Sequence, residues 1–277
     1  MALSFHQSTV PPDVIGNGVA RQSLLDESRV PGIDFGLERL CFDAGSAYPL
    51  NVDEAALAWF QVLSGALTLS DGGSQRSIDS SQVVFLPPGF TGKIASETGA
   101  IILFAVLPDA ARFDPGFDKA AMPLRIVDWT REPLLLSEYD ARKRIYLVTP
   151  KLFGTKAIKG EMIIYPPGTE AANHHHEGAA HFMYVLAGAG TCFASEELFA
   201  VREGDVIYYP DRERHYLKSD PAEELRFVEF FVPGQYKTVW APGASVCTWT
   251  PTGANIRGDK AARDIQAHSS AAPTSDI

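Results

Sequence analysis

The chain has little of several things that would have pointed elsewhere. Its three cysteines, Cys41, Cys192 and Cys247, are odd in number and widely scattered through 277 residues. No disulfide framework is expected from them, and a reducing, cytoplasmic compartment is the default. Cys41 and Cys192 fall in strand-like segments and are expected to pack as small hydrophobes. No long Lys/Arg run offsets a formal net charge of −10, which argues against a nucleic-acid partner, since such binders carry a clustered basic face. No uninterrupted apolar stretch approaches the roughly 20 residues that span a bilayer. The opening Met1-Ala2-Leu3-Ser4-Phe5-His6-Gln7 lacks the charged and apolar regions of a secretory signal. A small molecule is therefore the expected partner, with no nucleic acid and no membrane.

What is present is β-forming. Short runs rich in Val, Ile, Phe and Tyr recur at 57–63, 83–86, 101–106, 161–165 and 227–232. Gly, Pro, Asp and Ser punctuate them, as at Asp71-Gly72-Gly73-Ser74, Pro87-Pro88-Gly89 and Pro166-Pro167-Gly168. Many short strands with such turns read as an all-β sandwich or barrel. The runs also repeat. Gly45, Gly65 and Pro87 lie 123 residues before Gly168, Gly188 and Pro210, with matching apolar runs between them. A constant offset with unchanged internal spacing implies a tandem duplication. The expected plan is an arm at 1–30, a first barrel at 31–108, a connection at 109–143, a second barrel at 144–235 and an extension at 236–277. Trp129 and Leu134, Leu135 and Leu136 make the connection too apolar for a free linker. The Ala- and Ser-rich stretch 262–277 reads as disordered.

Five of the seven histidines lie between 174 and 215. The pattern is Gly168-x5-His174-x-His176-x4-His181-x6-Gly188, followed by Gly204-x5-Pro210-x4-His215. His174 and His176 are two apart, so an extended strand turns both to one face and His175 to the other. Neutral imidazole is the commonest protein metal ligand. Short His-rich tracts are also common in solvated loops, but here glycines frame the segment at both ends and a strand leads to the fourth histidine. His174, His176, His181 and His215 are the candidate metal ligands. His6, His175 and His268 are assigned no role. The 123-residue offset carries the four onto Asn51, Asp53, Ala58 and Gly92, so the first copy keeps the scaffold without the ligands, and one ion per chain is expected.

These residues resemble the two sequence motifs of the cupin superfamily over 168–219. In those motifs His181 stands where a glutamate is usual, Arg212 where a glycine is usual, and Ser219 where an asparagine is usual. The resemblance implies a bicupin of two tandem antiparallel jelly-roll barrels with few short helices, and a metal inside the second. It also implies one divalent transition metal per chain, iron or manganese favoured and zinc, nickel or copper possible, in a monomer or homodimer. Bicupins that resemble this chain include dioxygenases acting on flavonols, hydroxylated aromatics and diketones, and dioxygenase chemistry on such a substrate is the first expectation. Four neutral imidazoles would leave the ion's charge uncompensated and favour anionic ligands. A metal-dependent hydrolase or lyase similar to (S)-ureidoglycine aminohydrolase is the alternative, with Glu177 as candidate acid. A non-enzymatic ligand-binding cupin is the third. Phe182, Tyr184, Tyr208 and Tyr216 are candidate pocket walls.

Overall fold

Every apolar run becomes a strand. The five segments lie within Leu57–Ser70, Gln82–Leu86, Ala100–Leu107, Lys159–Tyr165 and Leu225–Val232. The computed structural model describes residues 1–118, 120 and 122–270. The β-branched and aromatic residues in these runs suit a pleated, half-buried surface. The one α-helical turn among the described residues, Pro150–Phe153, starts where the Thr149 side chain accepts from the Leu152 N–H and stops at left-handed Gly154. Among the described residues no helix is long and apolar enough to cross a membrane.

The described residues form two units. Gln7–Trp129 carries an antiparallel sheet in which Leu57–Ser70 is flanked by Gln82–Leu86 and Ala100–Leu107, with Gly36–Phe42 and Val19–Leu25 beyond. Ser46–Asn51 pairs with Thr91–Ser96 on the facing side. Leu40, Leu50, Phe60, Leu69, Val84, Ile94 and Ile102 interdigitate between them. The second unit comprises Met1–His6 and the chain from Thr130. Among its described residues, a nine-stranded and a five-stranded antiparallel sheet enclose a second core that draws Ile163, Met183 and Phe227 from one and Cys192, Val201 and Leu217 from the other.

The duplication is visible strand by strand. Gly36–Phe42 corresponds to Lys159–Tyr165 (159 − 36 = 123), and Gln82–Leu86 to Asp205–Tyr209 (205 − 82 = 123). The repeated glycines have one physical cause. Gly65 and Gly188 both have positive φ, and a Cβ there would fall 2.2 Å from the Gly99 carbonyl oxygen and 1.9 Å from that of Glu224. No side chain fits so close to a neighbouring strand.

The unit boundaries differ from the expected ones at three places. Residues 1–30 are no free arm: Leu3–His6 pairs with Asp205–Tyr209, and Val19–Leu25 pairs with Gly36–Phe42, burying Val19, Leu24 and Leu25. The connection is divided. Arg125–Asp128 extends the first sheet against Gln82–Leu86, and Leu135–Ser137 extends the nine-stranded sheet. The extension is ordered through Ser270, because Thr248–Pro251 and His268–Ser269 complete that sheet and Trp249 is fully buried. Small polar residues at 262–270 read as disorder because their cross-strand partners are remote in sequence. Residues 271–277 lie outside the described ones.

Candidate metal centre

The nine-stranded sheet turns an unusual set of side chains inward. Register alone aligns His181, Phe231 and Lys159 in one row across three strands. The next row is Met183, Glu229, Glu161 and Tyr146. Antiparallel partners share a face, and Met183 lies in the barrel core, so both rows face the interior. From the five-stranded sheet, His174 pairs directly with His215, and His176 follows two residues on.

His176, His181, His215 and Glu229 each offer one ligand atom, and these four atoms lie within 4.8 Å of one another. All four are buried, at 6%, 1%, 1% and 5% exposure. His174 borders the group, its ring 4.5 Å from that of His215 and 5.0 Å from that of His176. Three of the four expected ligands thus form one cluster, His174 flanks it, and Glu229 takes the fourth place. His181 stands at the glutamate position of the motif. The carboxylate comes instead from the adjacent strand, 3.3 Å from His181 Nε2.

The rings are oriented from behind. A carbonyl oxygen only accepts, so His174 Nδ1 donates to Ala172 and His215 Nδ1 to Glu213, each at 2.8 Å. Each Nε2 then carries a bare lone pair. His176 Nδ1 is 3.2 Å from the Thr238 hydroxyl. Such partners fix tautomer and ring orientation at metal sites. Neither nitrogen of His181 nor Nε2 of His215 has a hydrogen-bond partner among the described residues, although all are buried. Orphaned buried imidazole nitrogens beside a carboxylate are the donor set of a divalent transition-metal site.

Burial sets the charge states. It holds His174, His176 and His181 well below the usual imidazole range and brings His215 down to about 4, so all four stay neutral. Burial, then the charge of Glu161, pushes Glu229 up to about 8. Burial would also raise Glu161, but the Arg144 guanidinium at 2.9 Å and the Lys159 ammonium at 3.1 Å outweigh it and hold its carboxyl below the ordinary range. Lys159 is lowered by burial, which Glu161 only partly offsets, and donates to the Tyr236 hydroxyl at 2.6 Å.

These shifts make metal-free protein acid-sensitive. His215 binds its proton near pH 6.5 when unfolded and near pH 4 when folded, so stability is full above pH 6.5 and falls as pH drops towards 4. That one residue contributes about 3 kcal/mol. Glu229 acts oppositely, favouring the fold below pH 4.5 and losing that contribution as pH rises to about 8. The other three histidines, shifted like His215, decide the net sign. Urea unfolding of chelator-treated protein should give lower stability at pH 5 than at pH 7.5; the reverse order would refute these charge states.

The cavity around the centre has a volume of about 40 Å³. Its walls include Arg144, Tyr146, Lys159, Phe231, Tyr236 and Trp240. The aromatic walls expected from sequence lie elsewhere: Phe182, Tyr184, Tyr208 and Tyr216 do not line it. Phe182 stacks on Phe230 and Tyr216 on Phe193, on the opposite strand faces from the ligands. Glu177 is outside too, paired with Arg212 and Lys237. The interior acids are Glu161 and Glu229, whose signal in sequence is a lone carboxylate at inward parity within an apolar strand. The other two motif departures are structural. Arg212 keeps the left-handed backbone, at φ 66°, expected of the glycine it replaces, and Ser219 Oγ ties its turn by donating to the Pro166 carbonyl and accepting from the Thr169 N–H. In the first barrel Leu50, Val52, Ala58 and Phe90 belong to an apolar core, and the first three line a cavity of about 310 Å³ that holds none of the four histidines.

Residues 161–231 match the family model described as Cupin domain. The two-barrel fold is that of a bicupin. Oxalate decarboxylase from Bacillus subtilis, in its structure at pH 4.6, superposes with a TM-score of 0.67 at 16% identity, covering 86% of this chain and 78% of that one. A second structure of that enzyme, concerned with its Mn(II) centres, gives a TM-score of 0.66 at 17% identity over the same shares. The uncharacterised protein MJ1618 of Methanocaldococcus jannaschii is 31% identical over 74 residues. That match spans 26% of this chain and 58% of the archaeal protein.

Proposed function

We propose that the second barrel is the active site of a metal-dependent enzyme acting on a small carboxylate-bearing substrate, with lyase or decarboxylase chemistry. His176, His181 and His215 with Glu229 would hold the ion, His174 at its flank, and manganese or iron suits this imidazole and carboxylate set. The observation that carries the reading is the convergence of this cluster with Lys159 and Glu161 in one small interior. Ionisable groups are kept inside a protein at high cost unless they are paired or used.

A bound divalent ion supplies Lewis acidity, polarising a carbonyl or carboxylate oxygen of the substrate. The chain's own groups do the rest. Arg144 and Lys159 favour an anion, and the apolar walls exclude bulk water. Lys159 carries the proton. When the bond to the departing carboxylate carbon breaks, its electron pair stays on the neighbouring carbon, which takes that proton as carbon dioxide leaves. A lowered lysine suits transfer near neutral pH. The likeness to oxalate decarboxylase is in keeping with this class of reaction.

Dioxygenase chemistry is the second reading, favoured by the aromatic walls Phe231, Tyr236 and Trp240, which suit a small diketone. A three-ring flavonol is far larger than this cavity of about 40 Å³. Manganese- and iron-loaded protein should be assayed on small keto acids, dicarboxylates and diketones while carbon dioxide, ammonia and oxygen are followed. The lyase reading expects carbon dioxide without stoichiometric oxygen uptake, and a loss of about 100-fold or more in Lys159→Met with metal content intact. One oxygen consumed per product would replace it with the dioxygenase; ammonia release would replace it with a hydrolase.

A further inference from the structure

The cavity has a wall that neither the metal cluster nor the proton carrier explains. The segment after Trp240 returns to the nine-stranded sheet, where Trp249 pairs with His268, and His268, Ser269 and Ser270 become part of the cavity lining. His268 Nδ1 donates to the Gln266 carbonyl at 3.0 Å, which leaves Nε2 against the Tyr146 hydroxyl at 2.7 Å. Tyr146 in turn accepts from Arg144 at 3.1 Å. The Trp249 indole donates to Ser270 at 2.8 Å and fixes the end of the segment.

Two buried donors on this wall lack an acceptor: Arg144 Nε and Trp240 Nε1 have no hydrogen-bond partner among the described residues. A buried donor left unpaired costs about 1–3 kcal/mol, and both line the cavity. The charges agree. Among the described residues Arg142 pairs with Asp140 at 2.7 Å, whereas Arg144 and Lys159 share the single carboxylate of Glu161, at 2.9 Å and 3.1 Å. Orphaned N–H groups under an excess of cations call for an oxyanion.

We propose that Arg144 and Trp240 form an anchor for the substrate's carboxylate, that the Tyr146–His268 pair holds Arg144 in position for it, and that the C-terminal segment supplying His268 limits substrate size. This rests on the reading of a metal-dependent enzyme for a small carboxylate. The carboxylate occupies the anchor while a carbonyl oxygen of the same molecule faces the histidines. The α-keto acids have both groups.

The test is calorimetric titration of manganese-loaded full-length protein with pyruvate and with phenylpyruvate. Wild type should bind pyruvate and reject phenylpyruvate. His268→Ala and Trp240→Phe should each weaken pyruvate binding at least tenfold with manganese content unchanged, and His268→Ala should admit phenylpyruvate. Trp240→Phe keeps the ring and removes only the N–H, so it remains informative should His268→Ala fold poorly. Unchanged pyruvate affinity in folded Trp240→Phe overturns the anchor. Wild type that takes up manganese but no pyruvate overturns the carboxylate reading, and wild type that takes up no manganese overturns the metal site beneath both.

Discussion

His176→Ala protein is expected to retain less than about a tenth of the divalent ion held by wild type. Removing a group that merely orients a ligand typically costs 10- to 100-fold in metal affinity, and removing a ligand costs at least that. The His176 ring lies edge-on to His174 and His181, at 5.0 Å from each. Metal analysis after dialysis against a weak chelator, with thermal unfolding as a check on folding, decides the point. Full occupancy in a folded variant would count against the ligand set.

The second large effect is on stability. Glu161 sits between Arg144 and Lys159, with side-chain exposures of 1%, 13% and 1%. Glu161→Ala strands two buried cations without their shared carboxylate. Breaking a buried ion pair from one side costs about 3–5 kcal/mol, a large part of the roughly 5–15 kcal/mol that holds a domain folded. Chemical denaturation should show that loss. Lys159→Met should cost less, because Glu161 keeps Arg144. Equal, small losses in both variants would mean that the charges are hydrated rather than buried.

The fold was legible in sequence because its signals are local. Turn glycines and strand periodicity each depend on residues near one another, the 123-residue offset repeats both patterns, and the strand ends follow them closely. The histidine cluster was legible for a related reason: His174, His176 and His181 fall on one strand–turn–strand segment, and His215 follows at a motif distance. Glu229 and Glu161 were not, since their inward direction becomes visible only once Lys159–Tyr165 and Leu225–Val232 are paired. His268 was least legible. Nothing in Gln266-Ala267-His268-Ser269 predicts a strand, and that segment is fixed by Trp249 and Tyr146, the second of them 122 residues away.

The central claim is that imidazoles from separate strands of the second barrel share one ion with Glu229. Anomalous diffraction at the manganese edge, on crystals of manganese-loaded protein, tests it most directly. The account predicts one peak per chain, about 2.0–2.3 Å from imidazole nitrogens of His176, His181 and His215 and from a Glu229 carboxylate oxygen, metal–ligand distances ordinary for such donors. A peak confined to surface carboxylates, or none within bonding distance of these histidines, would contradict it.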